Sequence, residues 1–141
     1  LLFVKDIIIW AGLNQGSFSD SRPMTAGEIR NLVSSGLITI GAHSVNHVPL
    51  DEKSTFVQES EILESRQDLE HLLNQPVVSF AYPHGKFNDE TVAILKNNGF
   101  LCACTTRESG VERSTDPMIL PRYTVKDWTN EEFMAKLSTW L

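Results

Sequence analysis

Clustered basic charge is the first thing this 141-residue chain lacks. Twelve Lys and Arg stand against eighteen Asp and Glu, for a net charge of -6. A groove that tracks nucleic acid phosphates needs grouped cations, so nucleic acid is excluded as the expected partner. Long apolar runs are missing too. The run around Ile7–Leu13 is interrupted by Gly12 and is far too short to span a bilayer. No basic segment followed by an apolar stretch opens the chain as a signal peptide would. It begins at Leu1 rather than Met, and the expectation drawn from this is one domain over residues 1–141 that is incomplete at its N-terminus. Cysteine is scarce. Cys102 and Cys104 lie two apart in a strand-like run, on one face and too close for ordinary disulfide geometry. They read as small buried thiols, because a thiolate metal site would need further cysteines. What the chain does have is 41% hydrophobic residues, the proportion of a folded globular protein with a real core.

The apolar pattern alternates between two periods. Leu1–Val4 reads as a strand, Asp6–Trp10 fits strand or helix, and Asn14–Arg22 is a polar loop. Thr25 and Glu28 form a capping box for a helix over Ala26–Ser35 that stops at Gly36. Leu37–Ala42 is the next strand. Thr55 and Gln58 open a long helix to Leu73, with Ile62, Leu69, Leu72 and Leu73 as its apolar stripe. Val77–Ala81 and Phe100–Thr105 are strands around a helix that Asn88 caps and Gly99 ends. Leu120–Val125 is the fifth strand, and Thr129 with Glu132 caps a last helix to Trp140. Helices between successive strands require crossover connections, so the expected fold is α/β with about five mostly parallel strands. Such sheets, open or closed into a barrel, hold ligands at the carboxyl ends of their strands.

The strongest chemical signal lies at one of those ends. Thr39–Ala42 runs into His43-Ser44-Val45-Asn46-His47. Two imidazoles four residues apart can converge on one metal ion from a tight loop or a helical turn. The His-Glu-x-x-His pattern of metalloproteases does not fit, because Ser44 stands where the glutamate belongs and a strand precedes the pair. The residues alone equally allow two surface or hydrogen-bonding histidines. A second signal, Ser79-Phe80-Ala81-Tyr82-Pro83-His84-Gly85, follows the next strand. An aromatic-Pro-x-Gly turn builds a rigid rim with backbone N–H groups presented to a bound group. By itself it is also a plain tight turn.

In this order the two segments resemble the NodB-homology domain of polysaccharide deacetylases, carbohydrate esterase family 4. That family's His-[Ser/Thr]-x-x-His motif is matched by His43, Ser44 and His47. Its Phe-Ala-Tyr-Pro-Tyr-Gly variant is matched from Phe80 to Gly85, with His84 in place of the second Tyr. Framing segments agree: Met24-Thr25, Ser35-Gly36-Leu37, Asn98-Gly99-Phe100, Thr105-Thr106 and Leu120-Pro121-Arg122. The resemblance spans roughly residues 23–137 and implies a distorted (β/α) barrel. It also implies a metal-dependent hydrolase, most often with zinc, that removes N-acetyl groups from amino-sugar polymers, in a cell-envelope or secreted setting. Within it, His43 and His47 inherit the metal-ligand role, and the His84 backbone amide inherits the oxyanion donor. Tyr82, Pro83 and Trp128 are expected to contact substrate. Ser44 is expected to brace the histidine loop by hydrogen bonding.

The chain also departs from the family pattern. The Thr-Phe-Asp-Asp-Gly type motif, source of the catalytic base and the metal carboxylate, occurs nowhere in it, and no histidine follows His84. Ala81 replaces the arginine that orients the base. Arg122 is assigned as a substitute, evenly weighed against a surface role, and Trp128 is weighed evenly against a hydrophobic helix cap. Asp51, Glu52 and His71 are read as solvent-facing. Two functions stand: a deacetylase, weak or inactive as this chain alone, and a catalytically inactive relative that binds a glycan or a protein. A missing strand would leave an open sheet edge through which a homo-oligomer could form.

Overall fold

A computed structural model of the protein describes residues 22–140. The expected strand at Leu1–Val4 and the ambiguous segment Asp6–Trp10 lie outside the described residues.

Helix α1, Ala26–Ser34, begins as its sequence dictates. The Thr25 side chain accepts the Glu28 amide at 3.3 Å, and the Glu28 carboxylate accepts the Thr25 amide at 2.7 Å. It ends at Ser35 and Gly36, whose φ of 70° is left-handed. Helix α2, Thr55–Leu73, starts one position earlier than its sequence suggested. The N-cap is Ser54, whose hydroxyl accepts the Val57 amide, and Thr55 is already helical. Both are capping residues, and only geometry separates neighbouring candidates. Asn74 closes α2 in the left-handed conformation, donating to the Glu70 carbonyl at 2.8 Å. Arg30 of α1 donates to the Leu72 carbonyl at 3.0 Å, placing a cation at the C-terminal end of α2.

The sheet is parallel throughout. Strand β1 is Ser79–Ala81 and β2 is Cys102–Cys104, paired Ser79 to Cys102, Phe80 to Ala103 and Ala81 to Cys104. Single parallel bridges extend it on both sides, Ala42 to Phe80 and Cys104 to Leu120. Four of the expected strand positions are therefore adjacent in the order Ala42, β1, β2, Leu120. The outer two are shorter than their apolar runs suggested. Leu37 is 88% exposed and Ile38 is exposed as well, so the Leu37–Ala42 run pairs only at its last residue. After Leu120 the chain carries Arg122, Thr124 and Val125 at the surface.

Helix α3, Asp89–Asn97, follows the N-cap Asn88, and α4, Asn130–Trp140, follows Thr129, whose amide donates to Glu132 at 2.8 Å. The core lies between the sheet and helices α2 and α3. It is made by Leu50, Ile62, Val77, Phe80, Tyr82, Ile94, Leu95, Phe100 and Ala103, with Ala42 and Met118 at its margins. Each large apolar side chain fully buried here contributes about 1.5–3 kcal/mol. A buried polar tie joins the starts of α2 and α3, where the Thr91 hydroxyl meets both Gln58 and Asn88. Because every strand runs the same way, the chain leaves the sheet at one end after Ala42, Ala81, Cys104 and Leu120. His43, Tyr82 and Thr105 therefore start from one rim, and Arg122, two residues past Leu120, joins it through the Thr105 carbonyl.

Candidate functional site

At that rim the histidine loop begins as soon as Ala42 has exchanged hydrogen bonds with β1, its amide donating to Ser79 and its carbonyl accepting from Ala81, both at 2.9 Å. Gly41 permits the approach, since a Cβ there would stand 2.7 Å from the Ser79 hydroxyl. His43 then turns its ring back over β1, with Nδ1 2.7 Å from the Ala81 carbonyl. A carbonyl only accepts, so Nδ1 carries the proton and the Nε2 lone pair is left available. The ring of His47 lies 4.8 Å from that of His43, edge to face, and the ring of His84 lies 4.4 Å from that of His47. All three imidazoles are exposed.

The loop between the two histidines is strained. Ser44 and His47 both have positive φ, 62° and 54°, in the left-handed region that costs non-glycine residues about 1–3 kcal/mol each. Ser44 braces it as expected, its hydroxyl accepting the His47 amide at 2.9 Å. A residue absent from the sequence reading does more. Glu61, on the inner face of α2 and only 9% exposed, accepts the Val45 amide at 3.0 Å and the Asn46 amide at 2.8 Å with one oxygen. Its other oxygen accepts the Asn46 side chain at 2.6 Å. Burial pushes the Glu61 carboxyl up, but the bonds from Asn46, Val45 and Ser44 together hold it below the ordinary carboxylate range. The sign follows: this hold is complete above the ordinary carboxylate value and is lost as pH falls through the lowered one. Acidification should release the Val45 and Asn46 amides together, seen as a joint shift of their NMR resonances. In the folded helix, position 61 lies beside Ile62 on the buried face with Gln58 and Ser65. A carboxylate there must find partners.

The turn after β1 corrects two expectations. Tyr82 is 0% exposed, stacked on Phe87 at 4.5 Å, and its hydroxyl donates to the Met118 carbonyl at 2.7 Å. Burial, with the nearby Asp116 carboxylate, raises the phenol above its ordinary value. Pro83 is fully buried as well. Neither side chain contacts the rim surface, so both are core residues and not a substrate wall. Tyr82→Phe should lower stability by about 1–3 kcal/mol by orphaning the Met118 carbonyl, measurable by chemical denaturation. His84 follows with φ 56° and Gly85 with φ 67°. The Gly85 amide donates to the Tyr82 carbonyl and the Lys86 amide to the Pro83 carbonyl, while among the described residues no acceptor takes the His84 amide. The side chain of His84 thus joins the other imidazoles, and its backbone N–H remains available at the same rim.

Arg122 is anchored there too, its Nε donating to the Thr105 carbonyl at 2.8 Å and its amide to the Arg107 carbonyl at 3.0 Å. Trp128 packs against the last helix. Its ring lies 6.0 Å from that of Trp140, with the Lys136 ammonium 6.0 Å away, over a cleft lined by Glu132, Ala135 and Thr139. Asp51 is not simply solvated, since one of its oxygens is buried without a partner among the described residues and the other lies 4.0 Å from Lys86.

Whether these residues suit a metal can be judged from their donors. An exposed imidazole with its Nδ1 proton fixed on a carbonyl presents Nε2 outward, the arrangement typical of a zinc-ligating histidine. His43 meets that description, and His47 lies against it. Among the described residues, however, no group of three or more His, Cys, Asp or Glu is arranged to hold a metal. The ring contacts bring three imidazoles together without converging three donor nitrogens. The residues fit two ligands of a site.

Comparison with known proteins agrees with the fold and the motifs. The family described as "Polysaccharide deacetylase" matches residues 14–103. The chain belongs to the polysaccharide deacetylase family. It is 28% identical over 104 residues to a poly-beta-1,6-N-acetyl-D-glucosamine N-deacetylase of Staphylococcus epidermidis, covering 70% of this chain and 35% of that protein. Among solved structures it resembles the Streptococcus pyogenes deacetylase PplD in complex with acetate, with a TM-score of 0.76 at 25% identity, over 85% of this chain and 53% of that one. It also resembles BC0361, a polysaccharide deacetylase from Bacillus cereus, with a TM-score of 0.71 at 24% identity, over 84% and 37%. The fold is therefore a partial, distorted (β/α) barrel of the deacetylase type. The chain spans about a third to a half of the length of these relatives. Among the described residues no helix is long and apolar enough to cross a membrane.

Proposed function

We propose that this chain carries the histidine half of a metal-dependent deacetylase site for N-acetylated amino-sugar polymers. The observation that carries the reading is the His43–His47 pair on one strand-end rim, with the His43 tautomer set by Ala81. His43 and His47 would hold the metal, zinc by the chemistry of their donors. Bound there, zinc would supply Lewis-acid polarisation of an acetyl carbonyl. The chain's own residues do the rest. The His84 amide, without an acceptor among the described residues, donates to the oxygen on which negative charge develops. Arg122, held against Thr105, presents its guanidinium to orient a carboxylate base.

No carboxylate among the described residues joins the histidines to serve as that base. General-base assistance is worth ~10²–10⁴-fold in rate, so acetate release by this chain alone should be slow or undetectable. The same observation favours the second reading, a glycan-binding deacetylase relative without catalysis. Both predict recognition of the acetyl group, and only the first predicts metal dependence. The test is binding of N-acetylglucosamine oligomers and of their deacetylated counterparts, with and without zinc. Zinc-dependent preference for the acetylated oligomers, lost in His43→Ala, is expected. Equal binding of both oligomers would contradict the proposal, and zinc-independent preference would favour the second reading.

A further inference from the structure

Resting on that reading of His43 and His47, we infer that Glu61 is a positioning residue that sets the metal-ligand pair before any ion arrives. The two histidines sit at the ends of a five-residue loop, and two of those residues are held in left-handed conformations. A loop so strained reverts to ordinary conformations unless something overdetermines it. Within the loop, Ser44 closes the short circuit to the His47 amide. The rest of the restraint comes from outside the loop. Both middle amides, Val45 and Asn46, point at one oxygen of Glu61, and the Asn46 side chain points at the other. Glu61 touches neither histidine in this network, so it acts through the backbone that carries them.

The placement of Glu61 makes the restraint stiff. It projects from the interior of α2 beside Ile62, which is fully buried, and Ser65, which is bonded to the Ile62 carbonyl. A carboxylate on a packed helix, accepting three hydrogen bonds, ties the loop to the core and not to another mobile segment. Without it the amides of Val45 and Asn46 would turn to water, and His43 and His47 would lose their fixed separation. Residues that orient metal ligands typically change metal affinity by ~10–100-fold when removed.

The experiment has two readouts. In metal-free protein, hydrogen exchange at Val45 and Asn46 should be slow in the wild type and fast in Glu61→Ala. Zinc titration, well below the unfolding temperature of each variant, should show affinity ~10–100-fold weaker in Glu61→Ala. Glu61→Gln, whose carbonyl can still accept both amides, should recover most of the loss. Ser65→Ala, which disturbs the same helix face without reaching the loop, should leave affinity unchanged. Should Glu61→Ala fail to fold, Asn46→Ala carries the test, since it removes one exposed arm of the network and should weaken zinc by a smaller factor. Unchanged affinity in folded Glu61→Ala or Asn46→Ala, or an equal loss in Ser65→Ala, would overturn the inference while leaving the histidine pair as ligands. Absence of zinc uptake by the wild-type chain would instead overturn the proposed function.

Discussion

Replacing His43 and His47 together by alanine should abolish specific zinc uptake while leaving the protein folded. Both rings are exposed, and neither belongs to the core cluster. The structural loss is one hydrogen bond, from His43 to the Ala81 carbonyl, worth about 0.5–1.5 kcal/mol. The expected functional loss is complete, because both proposed ligand rings are removed together. Isothermal titration with zinc, paired with thermal unfolding of the same samples, separates the two effects. Protons compete with the metal for imidazole nitrogen, so wild-type uptake should weaken on acidification while the double variant stays silent at every pH. Equal uptake by both proteins would remove the site.

The second large effect is on stability, at Gly85. Alanine there would adopt φ 67°, a left-handed conformation costing roughly 1–2 kcal/mol for an L-residue. Its Cβ would also sit 2.0 Å from the Thr106 hydroxyl oxygen and 3.0 Å from the Thr106 Cβ. Overpacking of that kind costs about 1–3 kcal/mol, for a combined loss of roughly 2–5 kcal/mol. At roughly 4 °C per kcal/mol for a chain of this size, Tm should fall by about 8–20 °C. Thr106→Ala in the same chain removes the hydroxyl and methyl but not the backbone cost, so it should restore part of the loss. Full restoration would mean that the turn tolerates a side chain at positive φ and that packing alone demands the glycine.

The parts of the site that reside in short, contiguous stretches were legible in the sequence. His43, Ser44 and His47 form one loop, and the role expected for Ser44 is the hydrogen bond observed. The caps at Thr25, Asn88 and Thr129 were legible for the same reason, each being a side chain bonded three residues ahead. Glu61 was not, because its partners lie fifteen and sixteen residues away and meet it only when α2 packs over the rim. Tyr82 was misread through its motif. Phe80 is a core residue, strand alternation puts Tyr82 on the same face, and the two rings are 5.6 Å apart. Heeding that alternation would have placed it inside. The short outer strands were illegible for a different reason: an apolar run such as Leu37–Ala42 does not reveal whether a partner lies beside it.

The central claim is that His43 and His47 present ring nitrogens to a metal from a loop held in place before binding. The most direct measurement is nitrogen NMR of the histidine side chains during zinc titration of the intact chain. The structure fixes the His43 proton on Nδ1 through the Ala81 carbonyl, so Nε2 is the nitrogen that must respond. The account predicts that zinc shifts His43 Nε2 and one nitrogen of His47, that the His43 Nδ1 proton is retained, and that His71 on α2 is unaffected. A zinc response at His71 with His43 and His47 unchanged, or loss of the His43 Nδ1 proton on binding, would contradict it.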